Sequence, residues 1–483
     1  MGSESGPISK REQLLSAAEL TVGKSSTQGE HLVEVVPVVN EGLGNASYLV
    51  DLGDGLAAVI DPQRDLSPYL SLAREHHLAL AFAVETHVHA DFVTGSRELA
   101  YAGARIVAAA SAGLGFEHAG LRDGQRLGLG DLSLELLATP GHTPDHASWL
   151  LLDGESPLGV FTGGALVVGG VARTDLAGAD RTEHWARAAY RSLHHRLLTL
   201  PDALPVWPTH GPGSFCSTGS SSERTSTIGQ ERERNPLLAG NPDEDEFVRR
   251  LLGGLGTYPA YFDWLPSYNK SGPVVFGEHW PVLAQLTLPE FTRAVDDGAQ
   301  VIDVRMVSAF SEGHVPASIS HELRPQFASW LGWLADPTRP LAFITDASTD
   351  RAELVGQCVS IGYEKIAGEL AGGMDTWRSA GRQVAHLPLV DIDALADWQV
   401  LDIRQSSEWD AGHVPGAVHR ELGTVPGSEL PADRATAVMC AHGQRSMTAA
   451  SLIARDRGST DQLAVFPGSA QDWAERTGHH LDQ

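Results

Sequence analysis

The stretch VIDVRMVSAFSEGHVPAS, Val301–Ser318, returns at an offset of 99 as VLDIRQSSEWDAGHVPGA, Val400–Ala417. Each version starts with an apolar run of strand character, passes through Asp-x-Arg and reaches Gly-His-Val-Pro. A second matching pair follows: GGMDTW at Gly372–Trp377 and GSAQDW at Gly468–Trp473. Self-similarity at a fixed spacing marks a duplicated structural unit. Each copy reads as strand, helix, strand, helix over about 100 residues, so two copies of one small α/β domain are expected, over 286–384 and 385–483.

The copies part at one loop. In the second, VMCAHGQRSMTAASLI, an apolar strand ends at Met439, Cys440 opens a loop, and a helix starts near Ser446. A sulfur placed there faces successive backbone N–H groups and a helix N-terminus, which stabilise an anion and make it a nucleophile. Gly443 supplies backbone freedom for a tight cradle. Cys440 and Arg445 are the candidate catalytic pair, and Ala441, His442, Gly443, Gln444 and Ser446 the cradle. The first copy reads FITDASTDRAELV, with Asp346 at the cysteine position and Arg351 at the arginine position. A carboxylate cannot replace a thiolate nucleophile, so a structural or docking domain is expected. Cys358 reads as helix core, and Asp303, Arg305, Asp402 and Arg404 as structural charge pairs.

Upstream, over 31–255, short apolar runs such as VVPVV, SYLVDL and AAVIDP alternate with a helix at SPYLSLAREHHL. Three strand ends there carry histidines. ETHVHADFVTG (Glu85–Gly95) offers His87, His89 and Asp91, ATPGHTPDHASWLL offers His142, and VWPTHGPGSFC offers His210. Neutral imidazoles and a carboxylate gathered this way suit a metal ion. Cys216 follows His210 by six residues. It reads either as a sulfur acceptor at the mouth of that site or as a buried small side chain. Arg173 reads as a partner for a substrate carboxylate or as a loop clamp through Asp175. STGSSSERTSTIGQERERNP is expected to be an exposed loop or arm, DEDEFVRRLLGGL a helix, and 256–285 a linker packed against its neighbours.

The chain has 483 residues, so three domains are the natural expectation. Its formal net charge of −26 argues against nucleic acid or anionic membranes as partners. No apolar run reaches the roughly 18 residues of a membrane span. Residues 1–30 are polar, read as flexible, and lack an apolar signal core, which sets a cytoplasmic location as the expectation. The three cysteines are too few and too scattered for a disulfide framework.

The Asp-x-Arg, Gly-His-Val-Pro, Cys-to-Arg loop and Gly/Trp tail, from Leu286 onward, resemble the rhodanese family of sulfurtransferases. The resemblance implies that Cys440 attacks a sulfane sulfur, becomes a persulfide and passes the sulfur on. The histidine clusters, with LGNASYLV and AAVIDP, resemble the metallo-β-lactamase superfamily over about residues 32–255, which implies an αββα sandwich with its metal site at the edge between the sheets. The whole is similar to bacterial persulfide dioxygenase–rhodanese fusions. That likeness implies oxidation of a thiol persulfide by O₂ at one iron, held by His87, His142 and an aspartate after Thr-Gly. In FTGGALVVGG (Phe161–Gly170) this position is Gly164, and Gly170 also replaces an expected aspartate. Phe92 stands where two-zinc relatives have histidine.

Three outcomes follow for the metal site: it is empty, it holds one Zn(II) on His87, His89 and His142 with Asp91 and His210 close by, or it holds Fe(II) with an outside ligand in the gap. Restoring Gly164→Asp is expected to raise iron binding. The reading is an enzyme handling sulfane sulfur, with glutathione persulfide or thiosulfate as small-molecule substrate, a sulfur-acceptor protein as further partner, and homo-oligomers allowed. The alternatives are a zinc-dependent thioester hydrolase and a non-oxidative sulfur carrier with an inactive N-terminal domain.

Overall fold

The computed structural model describes residues 33–129, 132–219, 221–425 and 434–483. The expectation of a flexible segment at 1–30 lies outside the described residues. The chain divides into two compact units, one ending at Trp280 and one spanning Pro281–Gln483.

The first unit is built on two six-stranded sheets. In one, β1 (Val35–Asn40), β2 (Asn45–Asp51), β3 (Leu56–Ile60), β4 (Ala79–Val84), β5 (Arg105–Ala109) and β6 (Ala119–Leu121) lie in chain order. The pairing is antiparallel up to β3 and parallel beyond it. The other sheet runs β7 (Arg126–Leu129), β8 (Leu132–Ala138), β9 (Ala147–Asp153), β10 (Ser156–Gly163), β11 (Pro205–Pro208) and β12 (Ser226–Thr227). Tyr48, Ile60 and Val84 from one sheet share a core with Leu134, Trp149 and Phe161 from the other. Helix Ser67–Glu75 covers the outer face of the first sheet through Tyr69, and helices Thr182–His195 and Glu244–Gly253 cover that of the second through Ala189, Leu193 and Phe247. The order of layers is αββα, because each sheet has two apolar faces and must bury both.

Two stretches differ from the sequence reading. The expected arm at STGSSSERTSTIGQERERNP contains β12 and a helix, Ile228–Arg234, capped by the Thr227 side chain, which accepts from the Gln230 N–H at 3.2 Å. Glu231 is buried there because it accepts from Gly169 N–H and Asn235 Nδ2. Polar composition hid a segment whose buried charge is satisfied locally. Residues 256–280 belong to the first unit, with Tyr261, Phe262 and Leu265 buried and the Asn269 amide donating to the carbonyls of His89 and Phe92, both at 2.8 Å.

The second unit holds the repeat. Its first copy has five parallel strands in the order β13 (Gln285–Leu286), β17 (Ile366–Leu370), β16 (Leu341–Ile344), β14 (Gln300–Asp303), β15 (Ile319–Ser320). The second copy has four, in the order β19 (Val418–His419), β18 (Gln399–Asp402), β20 (Thr436–Met439), β21 (Leu463–Phe466), again parallel. Strands β16 and β20 are buried throughout and, apart from Thr436, apolar, as suits strands covered on both faces. Each delivers the diverging loop at its carboxyl end. In both copies the Asp-x-Arg pair locks onto itself. Arg305 donates to Asp303 at 2.6 and 2.9 Å and to Gly313 O at 3.0 Å, and Arg404 donates to Asp402 at 2.7 and 3.0 Å and to Gly412 O at 2.9 Å. The repeated arginine therefore ties a strand end to the Gly-His-Val-Pro turn.

Candidate functional site

Cys440 follows β20 and is buried. The next helix is Gln444–Arg457, beginning two residues earlier than the sequence suggests, with Gly443 as its N-cap at φ +89°. That left-handed conformation, which favours glycine, turns the Gly443 N–H onto Cys440 Sγ at 3.1 Å. The thiol lies 3.5 Å from Ser446 Oγ, which itself donates to Gly443 O at 2.9 Å. Of the five residues expected to form the cradle, Gly443 and Ser446 are those whose hydrogen bonds involve the sulfur. Ala441, His442 and Gln444 make no hydrogen bond to it among the described residues. Arg445, the second member of the candidate pair, carries its own counter-ion. Its guanidinium is held by Glu408, with N···O distances of 2.6 and 2.7 Å. Burial raises and the Arg445 pair lowers Glu408, which ends below the usual carboxylate range. The sequence hid this partner because it lies 37 residues away.

Copy one closes the same loop on itself. The Asp346 carboxylate accepts from the Ser348 N–H and hydroxyl at 2.9 and 2.6 Å, and these bonds hold it below the usual carboxylate range. Asp350 caps the following helix, Arg351–Ser360, accepting from Ala352 and Glu353 N–H, both at 3.0 Å. Arg351 is paired with Glu369 at 2.5 Å. Cys358 is buried on that helix, and burial pushes its thiol up.

In the first unit the histidines converge at one end of the two sheets. His87, His142 and His210 present nitrogens within 4.8 Å of one another, and so do the donor atoms of His89, Asp91 and His210. His87 Nδ1 lies 2.8 Å from Thr86 Oγ1, His142 Nδ1 lies 2.7 Å from Arg173 O, and the Nε2 atoms of His87 and His210 are 3.3 Å apart. Burial, then neighbouring His89, pushes His87 well down, and burial with His210 pushes His142 down to about 3. Both are neutral imidazoles, the form that binds metals. His142 Nε2 and both Asp91 oxygens are buried without a hydrogen bond, though Asp91 sits 3.1 Å from His210 Nδ1. Buried polar atoms left this way fit a bound cation.

His89 belongs to the same cluster: its donor atom lies within 4.8 Å of those of Asp61 and His87, and both its ring nitrogens are buried without a hydrogen bond. Its Nε2 lies 3.2 Å from Asp61 Oδ1 and 3.2 Å from Glu85 Oε2, and its ring stacks on Phe92 at 4.2 Å. Burial opposes charge on His89, but Asp61 outweighs it and raises the imidazole to about 10. His210 also stands beside His87 and His142. Asp61 was missed in the sequence, and the one signal was a lone acid at the end of a buried strand in AAVIDP.

Gly164 is no open gap. A Cβ there would lie 2.5 Å from His142 Cδ2 and 2.8 Å from Ala172 Cβ, while its N–H donates to His146 Nε2 at 2.9 Å. The histidine ring and Ala172 lie in the space a Cβ would need, so a side chain at this position must displace them. Arg173 is also settled. Two bonds to Asp175, both 2.7 Å, and others to Phe215 O and Gly256 O occupy its buried guanidinium, so it clamps the loop rather than facing a substrate. Cys216 is fully buried, and burial followed by Asp91 pushes its thiol well up.

Comparison with known proteins places these geometries. The description Rhodanese-like domain matches residues 287–380 and 390–476. The mitochondrial persulfide dioxygenase ETHE1 of Homo sapiens is 33% identical over 203 residues, which span 41% of this chain and 72% of that protein. The chain belongs to the persulfide dioxygenase family, with rhodanese-like domains fused to it. The Bos taurus member is likewise 33% identical, over 211 residues covering 74% of its length. Among solved structures, a metallo-β-lactamase from Staphylococcus aureus superposes with a TM-score of 0.61 at 29% identity, covering 71% of this chain and 99% of its own. The metallo-β-lactamase-like fold followed by rhodanese-like domains is therefore the architecture of this family member. Among the described residues no helix is long and apolar enough to cross a membrane.

Proposed function

We propose that this family member is a sulfurtransferase acting on sulfane sulfur, with Cys440 as the sulfur carrier. The observation that carries this reading is the loop at the end of β20. Cys440 Sγ sits before a helix whose N-cap, Gly443, has no side chain to close its amides, and one of those amides already donates to the sulfur. The sulfur attacks the outer sulfur of a donor such as thiosulfate. A Cys440–sulfur bond forms, the donor sulfur–sulfur bond breaks, and sulfite leaves with the bonding pair. The loop and helix amides hold the terminal persulfide anion until a thiolate or cyanide acceptor takes that sulfur.

In the first unit His87, His142 and His210, with Asp91 beside them, are the residues that would hold one Fe(II) or Zn(II). Such an ion would supply Lewis acidity toward a thiol persulfide, or O₂ chemistry if it is iron. The nitrogen-rich set, lacking the carboxylate at Gly164, favours Zn(II) or weakly held Fe(II). Tests are direct. Mass spectrometry after thiosulfate or glutathione persulfide should show one added sulfur on the peptide holding Cys440, and its absence sinks the carrier role. Metal content of protein purified without added ions, with O₂ uptake on glutathione persulfide, separates the readings of the first unit. Uptake at a turnover rate would restore oxidation, and metal far below one ion per chain would leave a non-oxidative carrier.

A further inference from the structure

In copy one the position of the missing thiol is filled, but the cleft in front of it is open. A cavity of about 280 Å³ is lined on one side by Thr345 and Asp346, at the end of β16, and on the other by the Gly372–Gly373 turn. The two sides approach closely because Gly373 has no side chain: a Cβ there would lie 2.7 Å from Thr345 O. Leu370 and Met374, both buried, add an apolar patch to the lining. Small-molecule sites occupy about 300–1,000 Å³, so this cleft suits a ligand of amino-acid size.

Arg305, Arg351 and Arg378 all line the cavity. The first two are committed to the protein: Arg305 to Asp303 and Gly313 O, and Arg351 to Glu369, with both carboxylates buried. Arg378 is not. Its guanidinium lies against the Gly-His-Val-Pro turn, where a Cβ at Gly313 would be 2.8 Å from Nη2. It makes no hydrogen bond among the described residues, and Asp375, its ion-pair partner at 3.9 Å, is 97% exposed to water. Asp346 is the matching anion. The Ser348 N–H, the Ser348 hydroxyl and the Thr349 hydroxyl all donate to its Oδ1, at 2.9, 2.6 and 3.3 Å, and Oδ2 accepts no hydrogen bond among the described residues. One lining cation and one lining carboxylate oxygen are thus left for a ligand.

We propose that the cleft of the cysteine-less copy binds an amino-acid group, with the ammonium on Asp346 Oδ2 and the carboxylate on Arg378. Both contacts are charge-assisted, and together they discriminate against ligands that carry only one of the two charges. Leu370 and Met374 suit an apolar or sulfur-bearing side chain. The group comes from a free amino acid or from the glutamyl end of glutathione, which present the same ammonium and carboxylate. No residue of copy two lines the cavity, so this binding does not depend on Cys440 carrying sulfur. The cysteine-less copy is then a binding domain rather than a spacer.

The test is isothermal titration calorimetry of the full chain with L-methionine and with glutathione. At least one of them should bind, one molecule per chain. Binding of L-methionine alone identifies a free amino acid as the source, and binding of glutathione alone the peptide thiol. Arg378→Gln and Asp346→Asn should each weaken that binding by about tenfold or more, the loss of one charge-assisted bond. Asp346→Asn keeps the Oδ1 acceptor that holds the loop, and urea unfolding of both variants checks that the fold is retained. Blocking the amine of the ligand by N-acetylation should weaken binding by a similar factor of about ten. No binding of either ligand at millimolar concentration overturns the proposal. So does an affinity that either substitution, or the N-acetyl group, leaves unmoved.

Discussion

The two copies of the repeat share a sheet, an Asp–Arg lock and a strand that feeds a loop into a helix, yet their loops do opposite things. In copy two the helix begins at a glycine with no capping side chain, so amides stay available to an anion at Cys440. In copy one, Asp346 and Asp350 take up the amides of Ser348, Ala352 and Glu353. The chain's own carboxylates sit where a persulfide anion would be held. Losing the nucleophile therefore did not leave a vacancy. The first unit shows the same pattern, with the His142 ring packed against Gly164, where the sequence reading expected a carboxylate. A missing catalytic group, in this protein, is a filled space.

The largest expected effect tests the active loop. Cys440→Ala should abolish sulfur loading, read by mass spectrometry, and cyanide-dependent sulfur transfer, while the fold persists because the side chain shrinks by one atom. Next, Asp346→Cys alone should load no sulfur, since Thr349 and Asp350 still shape and close the loop. Adding Thr349→Gly and Asp350→Gln should give measurable loading. Loading by the single variant would break the comparison.

Gly443→Ala should lower the sulfur-transfer rate by at least tenfold and cost about 1–2 kcal/mol in denaturant unfolding, because a left-handed alanine is strained. A Cβ there would also meet Pro467 Cα at 3.2 Å. In the first unit, Gly164→Asp should reduce bound metal, by elemental analysis, by displacing His142. A gain in iron would show that the ring yields.

The last prediction is a pH dependence in copy one. Burial lowers His314 and His321 to about 4 each. Unfolded histidine titrates near 6.5, so the folded state binds fewer protons between these values. Their contribution to stability is present above about 6.5 and fades as pH falls toward 4. Hydrogen-exchange protection factors in copy one, with the intrinsic rate at each pH divided out, should therefore fall on acidification, and His321→Gln should reduce the change.

Much of this was legible in the chain. The repeat, the parallel apolar strands and the histidine clusters each rest on local patterns: period, spacing and residue type. Cys440 was legible because a thiol between a strand and a glycine-led helix start is a local arrangement. The partners were not. Glu408 on Arg445, Asp61 on His89 and Asp175 with two carbonyls on Arg173 depend on which chain segments meet, and a run of polar residues does not say whether its charges will be satisfied.

The sequence by itself determined where a cysteine, a glycine and a helix start come together, because they are close neighbours along the chain. Only the tertiary structure decided which charges pair and which spaces are filled. Electrostatics and packing act through space, between residues that the backbone keeps far apart and the fold brings to within a few ångströms.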